Sequence, residues 1–257
     1  MARRRFSFID RIGHRVLLGR WSQVARAAGH ANLALLSRQR RRARELRHKL
    51  NELIYVADGR LALPRIGSNS FFRPEGTDWA WRPQLWRGPL EPRGMASVQS
   101  KQGFGNEVTV FHDCRISELT LRQLRNTKEE DLAPFGLRMD VFRFDGSFLS
   151  LVLDLPDEAC QNLKKRHLIR LDTIIELEKP LEIFARLNIK HGPNTEQVVR
   201  ELPLNQSDVM VEFDLAYTNL NEKRVERMWI DLIFEGPEMN QVTIRELTFS
   251  RSPRAEL

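Results

Sequence analysis

Cysteine is scarce in this chain: Cys114 and Cys160 are the only two in 257 residues. Two thiols do not make a disulfide framework, so a reducing compartment is expected. Apolar runs are short as well. Nowhere do about 18 apolar residues follow one another, so no transmembrane helix is expected. The start is basic, yet Arg11, His14, Arg15 and Arg20 interrupt the apolar stretch that a secretory leader requires. Catalytic signatures are missing too: there is no P-loop, no His-Glu-x-x-His pair and no Gly-x-Ser-x-Gly elbow. Gly103-Phe-Gly-Asn lacks a third glycine and no helical pattern follows it, so it reads as a turn. No cofactor is expected. The expected setting is the cytoplasm, peripheral to the inner membrane.

What is present is unevenly charged. Residues 1–60 hold 15 Lys+Arg against 4 Asp+Glu, a net of +11, while the other 197 residues hold 26 against 30, a net of −4. The basic balance therefore belongs to an N-terminal arm, which suits an anionic partner. Over 8–58 the apolar spacing predicts helix, with Gly13, Gly19 and Gly29 as weak points. Leu36, Ala43, Leu46, Leu50, Leu53 and Ala57 form a seam with Gln39 among them, a pattern that suits a short coiled coil and self-association. Arg38, Arg40, Arg41, Arg42, Arg44, Arg47 and Lys49 crowd the remaining faces. Those charges fit a lipid headgroup layer, nucleic-acid phosphates or a solvated coiled-coil exterior, and the sequence does not choose among them. No recognition module supports the nucleic-acid reading.

Residues 59–106 form a connection with five prolines and three of the five tryptophans, Trp79, Trp81 and Trp86. Burying a large side chain is worth roughly 1.5–3 kcal/mol, so the segment reads as a strap over the domain. From 107 the period falls to two. Strands are expected at 107–112, 115–124, 138–144, 147–155, 167–178, 181–190, 195–202, 208–218, 224–235 and 240–250. Asp145-Gly146 reads as a two-residue hairpin turn. The switch from Val242 and Ile244 to Leu247 and Phe249 predicts a bulge near Arg245. Segments 128–133 and 157–165 read as short helices. The expected fold is mainly β: an antiparallel β-sandwich (jelly roll) over 107–257, behind the strap (59–106) and the basic helical arm (1–58).

The strings Trp79-Ala-Trp-Arg-Pro, Phe144-Asp-Gly-Ser-Phe-Leu-Ser-Leu-Val-Leu-Asp-Leu-Pro and Arg186-Leu-Asn-Ile-Lys-His-Gly-Pro-Asn-Thr-Glu-Gln, with the final Thr248-Phe-Ser-Arg-Ser-Pro, resemble an uncharacterised alphaproteobacterial family of unknown function. That resemblance implies no site residues. More distantly, the strand pattern is similar to galactose-binding-type jelly rolls that serve as carbohydrate-binding modules, a likeness of architecture only.

Three constellations are candidates for chemistry. His112 and Cys114 share a strand face, but no further Cys/His pair completes a metal set, so a structural pair is expected. Asp140, Asp145, Asp154, Asp172, Asp214 and Asp231 are the carboxylates from which a sugar-active enzyme would draw an acid–base pair. The polar row Phe184, Arg186 and Asn188, with His191 and Asn194 beyond it, has the aromatic and planar polar groups that match a sugar ring. It equally fits a solvated face with Phe184 under the strap. Failing that row, the residues to examine are Glu212, Asp214, Trp229 and Asp231, expected on the opposite sheet. The leading expectation is a non-catalytic binding or scaffolding protein that takes a carbohydrate or glycoconjugate. The alternatives are a sugar-active enzyme and a nucleic-acid-associated factor.

Overall fold

The computed structural model describes residues 8–61, 71, 73–128, 131–203 and 208–254. It divides into two units, Met1–Ile54 and Tyr55–Leu257. The first contains α1 (Phe8–Ala27), a 3-10 turn at Ala28–His30 and most of α2 (Leu33–Leu61). The expected continuous helix is thus broken at Gly29 and Asn32. Asn32 Oδ1 accepts the Ala34 N–H at 2.8 Å, an N-cap that starts α2. Along the expected seam, Leu36, Gln39, Ala43 and Leu46 are half-buried, whereas Leu50 and Leu53 are exposed. The Ala57 side chain lies outside the described residues. So do 62–70 and 72 of the expected strap.

Among the described residues the second unit is a sandwich of thirteen strands in two antiparallel sheets. The strands are β1 (Trp79–Trp81), β2 (Gly94–Ala96), β3 (Gln102–Phe104), β4 (Val108–His112), β5 (Leu119–Arg125), β6 (Phe135–Val141) and β7 (Leu149–Asp154). They continue with β8 (His167–Leu177), β9 (Glu182–His191), β10 (Asn194–Glu201), β11 (Asp208–Asp214), β12 (Val225–Glu235) and β13 (Asn240–Pro253). One sheet runs β11-β8-β13-β6-β5-β2, with β1 added beside β13; the other runs β10-β9-β12-β7-β4-β3. Alternation places the core. Leu149, Leu151 and Leu153, then Ile183, Ala185, Leu187 and Ile189, then Ile230, Leu232 and Phe234 are all buried. In the seven-stranded sheet the buried apolar residues include Ile169, Leu171, Val209, Phe213, Leu247 and Phe249.

Three local expectations change. Asp145-Gly146 does not close a hairpin, because β6 and β7 belong to different sheets and Phe142–Phe148 crosses between them. Asp113 holds that crossing by accepting the Ser147 N–H (2.7 Å) and hydroxyl (2.6 Å). Any Cβ on Gly146 would fall 2.6 Å from Asp113 Oδ1, so glycine is required there by crowding. The strand expected to reach 218 stops at Asp214, whose carboxylate caps a 3-10 turn by accepting the Ala216 N–H at 2.9 Å; Tyr217 ends up 82% exposed. Of the two short helices, 157–165 yields a 3-10 turn at Asp157–Ala159. The described part of 128–133 is not helical, and 129–130 lie outside the described residues.

The bulge appears where the parity change places it, between Ile244 and Glu246 of β13. β8 follows β13 along nearly its whole length, but the other edge changes partner: β6 as far as Ile244, β1 from Phe249. The gap is filled largely from the strap. Arg82, 2% exposed, donates to Glu246 at 2.7 and 2.8 Å, and Trp86, fully buried, donates its indole N–H to the Ile244 carbonyl at 3.0 Å. Asn126 donates to the Arg245 carbonyl at 2.8 Å. Trp79 and Trp81 are only half-buried, with the Trp81 ring 5.8 Å from Phe249. The strap segment therefore enters both sheets, supplying β1, β2 and β3.

Burial pushes the Glu246 carboxyl up from its ordinary value, and the Arg82 guanidinium pulls it back. Arg82→Met removes the cation and leaves a buried carboxylate, so it should cost about 3–5 kcal/mol at pH 7 in urea denaturation. In that variant the folded carboxyl lies further above its unfolded value. Its stability should be greatest below the ordinary carboxylate range, about pH 4.3, and fall as pH rises. Arg82→Met with Glu246→Leu should recover most of the loss; equal destabilisation by single and double variants would mean that the pair does not plug the bulge.

Candidate functional site

The outer face of the six-stranded sheet is built by strand register. Arg186 of β9 lies opposite Asp231 of β12, which lies opposite Val152 of β7. The next row runs Phe184, Ile233, Ser150 and Phe111, and the row on the other side runs Gln197, Asn188, Trp229 and Asp154. Side chains directly opposite one another in an antiparallel pair share a face, so five strands contribute to one surface. A groove of about 480 Å³ opens there, lined by Phe111, Phe148, Ser150, Val152, Arg186, Arg227, Trp229, Asp231 and Ile233. That volume is within the range of small-ligand sites, roughly 300–1,000 Å³.

Its polar groups are held firmly. Asp231 is 3% exposed, and its Oδ2 accepts from Arg186 Nε (2.8 Å) and from Asn188 Nδ2 (3.1 Å). A second Arg186 nitrogen approaches the same oxygen at 2.6 Å. Asn188, 1% exposed, is fixed in turn by Gln197, which donates to its Oδ1 at 2.9 Å. Arg227 pairs with Asp154 and stands 5.3 Å over the Trp229 ring. Ser150 is 6% exposed, and among the described residues nothing bonds its hydroxyl.

The structure separates the residues that the sequence put in one row. Arg186 lines the groove. Asn188 shares the face but is buried, and its amide braces Asp231. Phe184 also shares the face, two residues before Arg186 on β9 and opposite Ile233 of β12, and is half-buried. His191 does not join them: it has the parity of the inward residues Leu187 and Ile189, and it is 3% exposed. Its Nδ1 accepts the Asn221 N–H at 3.3 Å, and Glu196 lies 3.6 Å from Nε2. Asn194 is exposed at the start of β10, just after the turn in which Gly192 has φ +60°. Trp229 and Asp231 are on this sheet beside β9, whereas Glu212 and Asp214 belong to β11 of the opposite one.

Sequence reasoning missed Phe111, Phe148, Ser150, Val152, Arg227 and Ile233. One signal was available, the outward parity of Arg227, Trp229, Asp231 and Ile233, but strand order is needed to set it beside β7 and β9.

His112 is 5% exposed, its Nε2 is 2.8 Å from the Val98 carbonyl, and its Nδ1 accepts the Cys114 N–H at 3.2 Å. Burial pushes the Cys114 thiol up, and it pushes the Cys160 thiol up to about 11. That opposes a reactive thiolate at either position. Among the six aspartates, Asp140 pairs with Arg138 at 2.8 Å and Asp172 with Arg170 at 2.6 Å, while Asp145 accepts the Arg115 N–H at 3.1 Å. Only Asp154 and Asp231 share a face of the six-stranded sheet, and each is engaged by an arginine. Arg38, Arg40, Arg41, Arg42, Arg44, Arg47 and Lys49 are all exposed on α2.

Over residues 1–257 the chain matches DUF6478, a family of unknown function, and belongs to it. No curated protein matches it in sequence. Among solved structures it is similar to the enzymatically active domain of bacteriophage CBA120 tailspike protein 4, at 9% identity and a TM-score of 0.42, over 60% of this chain and 21% of that one. The family 11 carbohydrate-binding module of a cellulosomal cellulase from Clostridium thermocellum aligns at 12% identity and a TM-score of 0.40, covering 62% of this chain and 95% of the module. The CBM22-1 xylan-binding domain from Paenibacillus barcinonensis aligns at 9% and 0.38, covering 60% and 92%.

The geometry separates support from lining in a measurable way. Asn188→Ala deletes an amide buried against Asp231 and should cost about 1–3 kcal/mol of folding stability. Phe148, 44% exposed at the groove, should tolerate alanine within about 0.5 kcal/mol. Equal effects in chemical denaturation would contradict this division.

Proposed function

We propose that this family member is a non-catalytic binding protein that takes a neutral carbohydrate chain in the groove on its six-stranded sheet. One observation carries the reading: Trp229, Phe111 and Phe148 lie in the same groove as a fixed Arg186–Asp231 pair. The apolar C–H face of a sugar ring packs on aromatic rings, while its hydroxyls need planar donors and acceptors at set positions. Asp231 Oδ2 is occupied by Arg186 and Asn188, but among the described residues nothing bonds Oδ1. Ser150 adds an unused hydroxyl.

Charge narrows the ligand class. Both arginines at the groove are matched by aspartates, Arg186 by Asp231 and Arg227 by Asp154, so the site offers no surplus cation to a uronate or sulfate. The same pairing speaks against an acid–base pair, because each carboxylate is already engaged. A neutral glycan bound in this way should show little salt dependence.

The test is calorimetry of the full chain against neutral polysaccharides selected by a glycan array. Trp229→Ala should weaken binding about tenfold, the equivalent of about 1.4 kcal/mol of lost stacking. Phe148→Ala should weaken it by a smaller factor. Retention of sulfated or uronic glycans alone, or full affinity in Trp229→Ala, would remove the reading.

A further inference from the structure

The helical unit has charges and apolar side chains that the groove does not use. Between α1 and α2 lies a niche of about 220 Å³, lined by Arg20, Trp21 and Val24 from one helix and by Leu35, Arg38, Gln39 and Arg42 from the other. Arg38 and Arg42 are one helical turn apart and face Arg20 across it. Among the described residues, no carboxylate pairs with any of the three. Arg41, on another face of α2, does have a partner: Glu45 at 3.1 Å.

Apolar side chains adjoin this basic niche. Leu17, one turn before Trp21 on α1, is 43% exposed, Leu35, which lines the niche, is 44% exposed, and no described side chain in 13–50 is buried. We propose that the helical unit docks on an anionic lipid membrane, with the headgroup phosphate held by Arg20, Arg38 and Arg42. Trp21 and the neighbouring leucines then rest at the boundary between headgroups and acyl chains.

The chemistry fits at each point. Guanidinium groups donate paired N–H bonds to phosphate oxygens, and three converge on a space of suitable size. Tryptophan prefers the interface, where its ring is in an apolar layer and its N–H is in a polar one. Among the described residues no helix is long and apolar enough to cross a membrane. The contact is therefore of the surface kind, in which basic groups and a modest apolar face act together. A second copy is the weaker occupant, since it would bring one +11 arm against another. Nucleic acid makes no use of exposed Leu17 and Leu35.

The test is co-sedimentation of the full chain with phosphatidylcholine vesicles, with and without phosphatidylglycerol. Binding should require phosphatidylglycerol and weaken with salt. Each arginine brought to an anionic surface is worth about fivefold, so Arg20→Gln, Arg38→Gln and Arg42→Gln together should lose roughly a hundredfold. Arg40→Gln, Arg41→Gln and Arg44→Gln change net charge equally but lie on the other faces of α2, and should lose less than about fivefold. All six positions are exposed, and circular dichroism checks that both triple variants keep their helices. Equal losses in the two triples would reduce the niche to nonspecific charge and overturn it. So would absence of phosphatidylglycerol-dependent binding, tighter binding to duplex DNA than to vesicles, or a dimer whose formation prevents vesicle binding.

Discussion

Between Ile244 and Glu246, one extra residue enters the central strand of the seven-stranded sheet, and Arg82 closes the space it makes. Beyond that point β13 changes its neighbour from β6 to β1, so the sheet continues only because the strap arrives there. The bulge reverses the faces presented by β13. Ile244 points into the core before it and Leu247 after it, leaving Glu246 on the other face, where it needs a cation. Arg82 meets that need from 164 residues away in sequence. A charge pair of this kind specifies where the strap docks more than it adds stability, because desolvation offsets much of the attraction.

The opposite sheet has no such interruption at its centre, and its outer face can serve as a surface. Its rows are straight because β9, β12 and β7 pair in continuous register through Arg186, Asp231 and Val152. Two ion pairs lie among aromatic rings there, each held by neighbouring strands. An arrangement held by its own hydrogen bonds would lower the ordering cost of the binding proposed for this face.

Charge is used differently in the two units. In the sandwich, the buried or groove-lining arginines Arg82, Arg186 and Arg251 are committed to Glu246, to Asp231, and to Asp78 with the Ala159 and Gln161 carbonyls. In the helical unit, Arg20, Arg38 and Arg42 have no such partner among the described residues. Burial accounts for the contrast: a buried charge without a partner is too costly to keep, whereas an exposed one remains hydrated and available.

Alternation by itself determined the ten strands from 107 onward, the inward rows of β7, β9 and β12, and the bulge near Arg245, because a half-buried strand must show its period in its own residues. The charge asymmetry and the weak point at Gly29 were equally local. Tertiary structure alone decided what faces what. The parity of β9 put Phe184, Arg186 and Asn188 on one face, but only the order of β9, β12 and β7 placed Trp229, Asp231 and Ser150 beside them. Likewise Asp145-Gly146 has the residues of a hairpin turn, yet its flanking strands enter different sheets. His191 looked like a site residue until its parity and the Asn221 N–H turned it inward. Periodicity along a chain records how deeply each side chain is buried; the identity of its neighbour depends on strand order, which no single segment encodes.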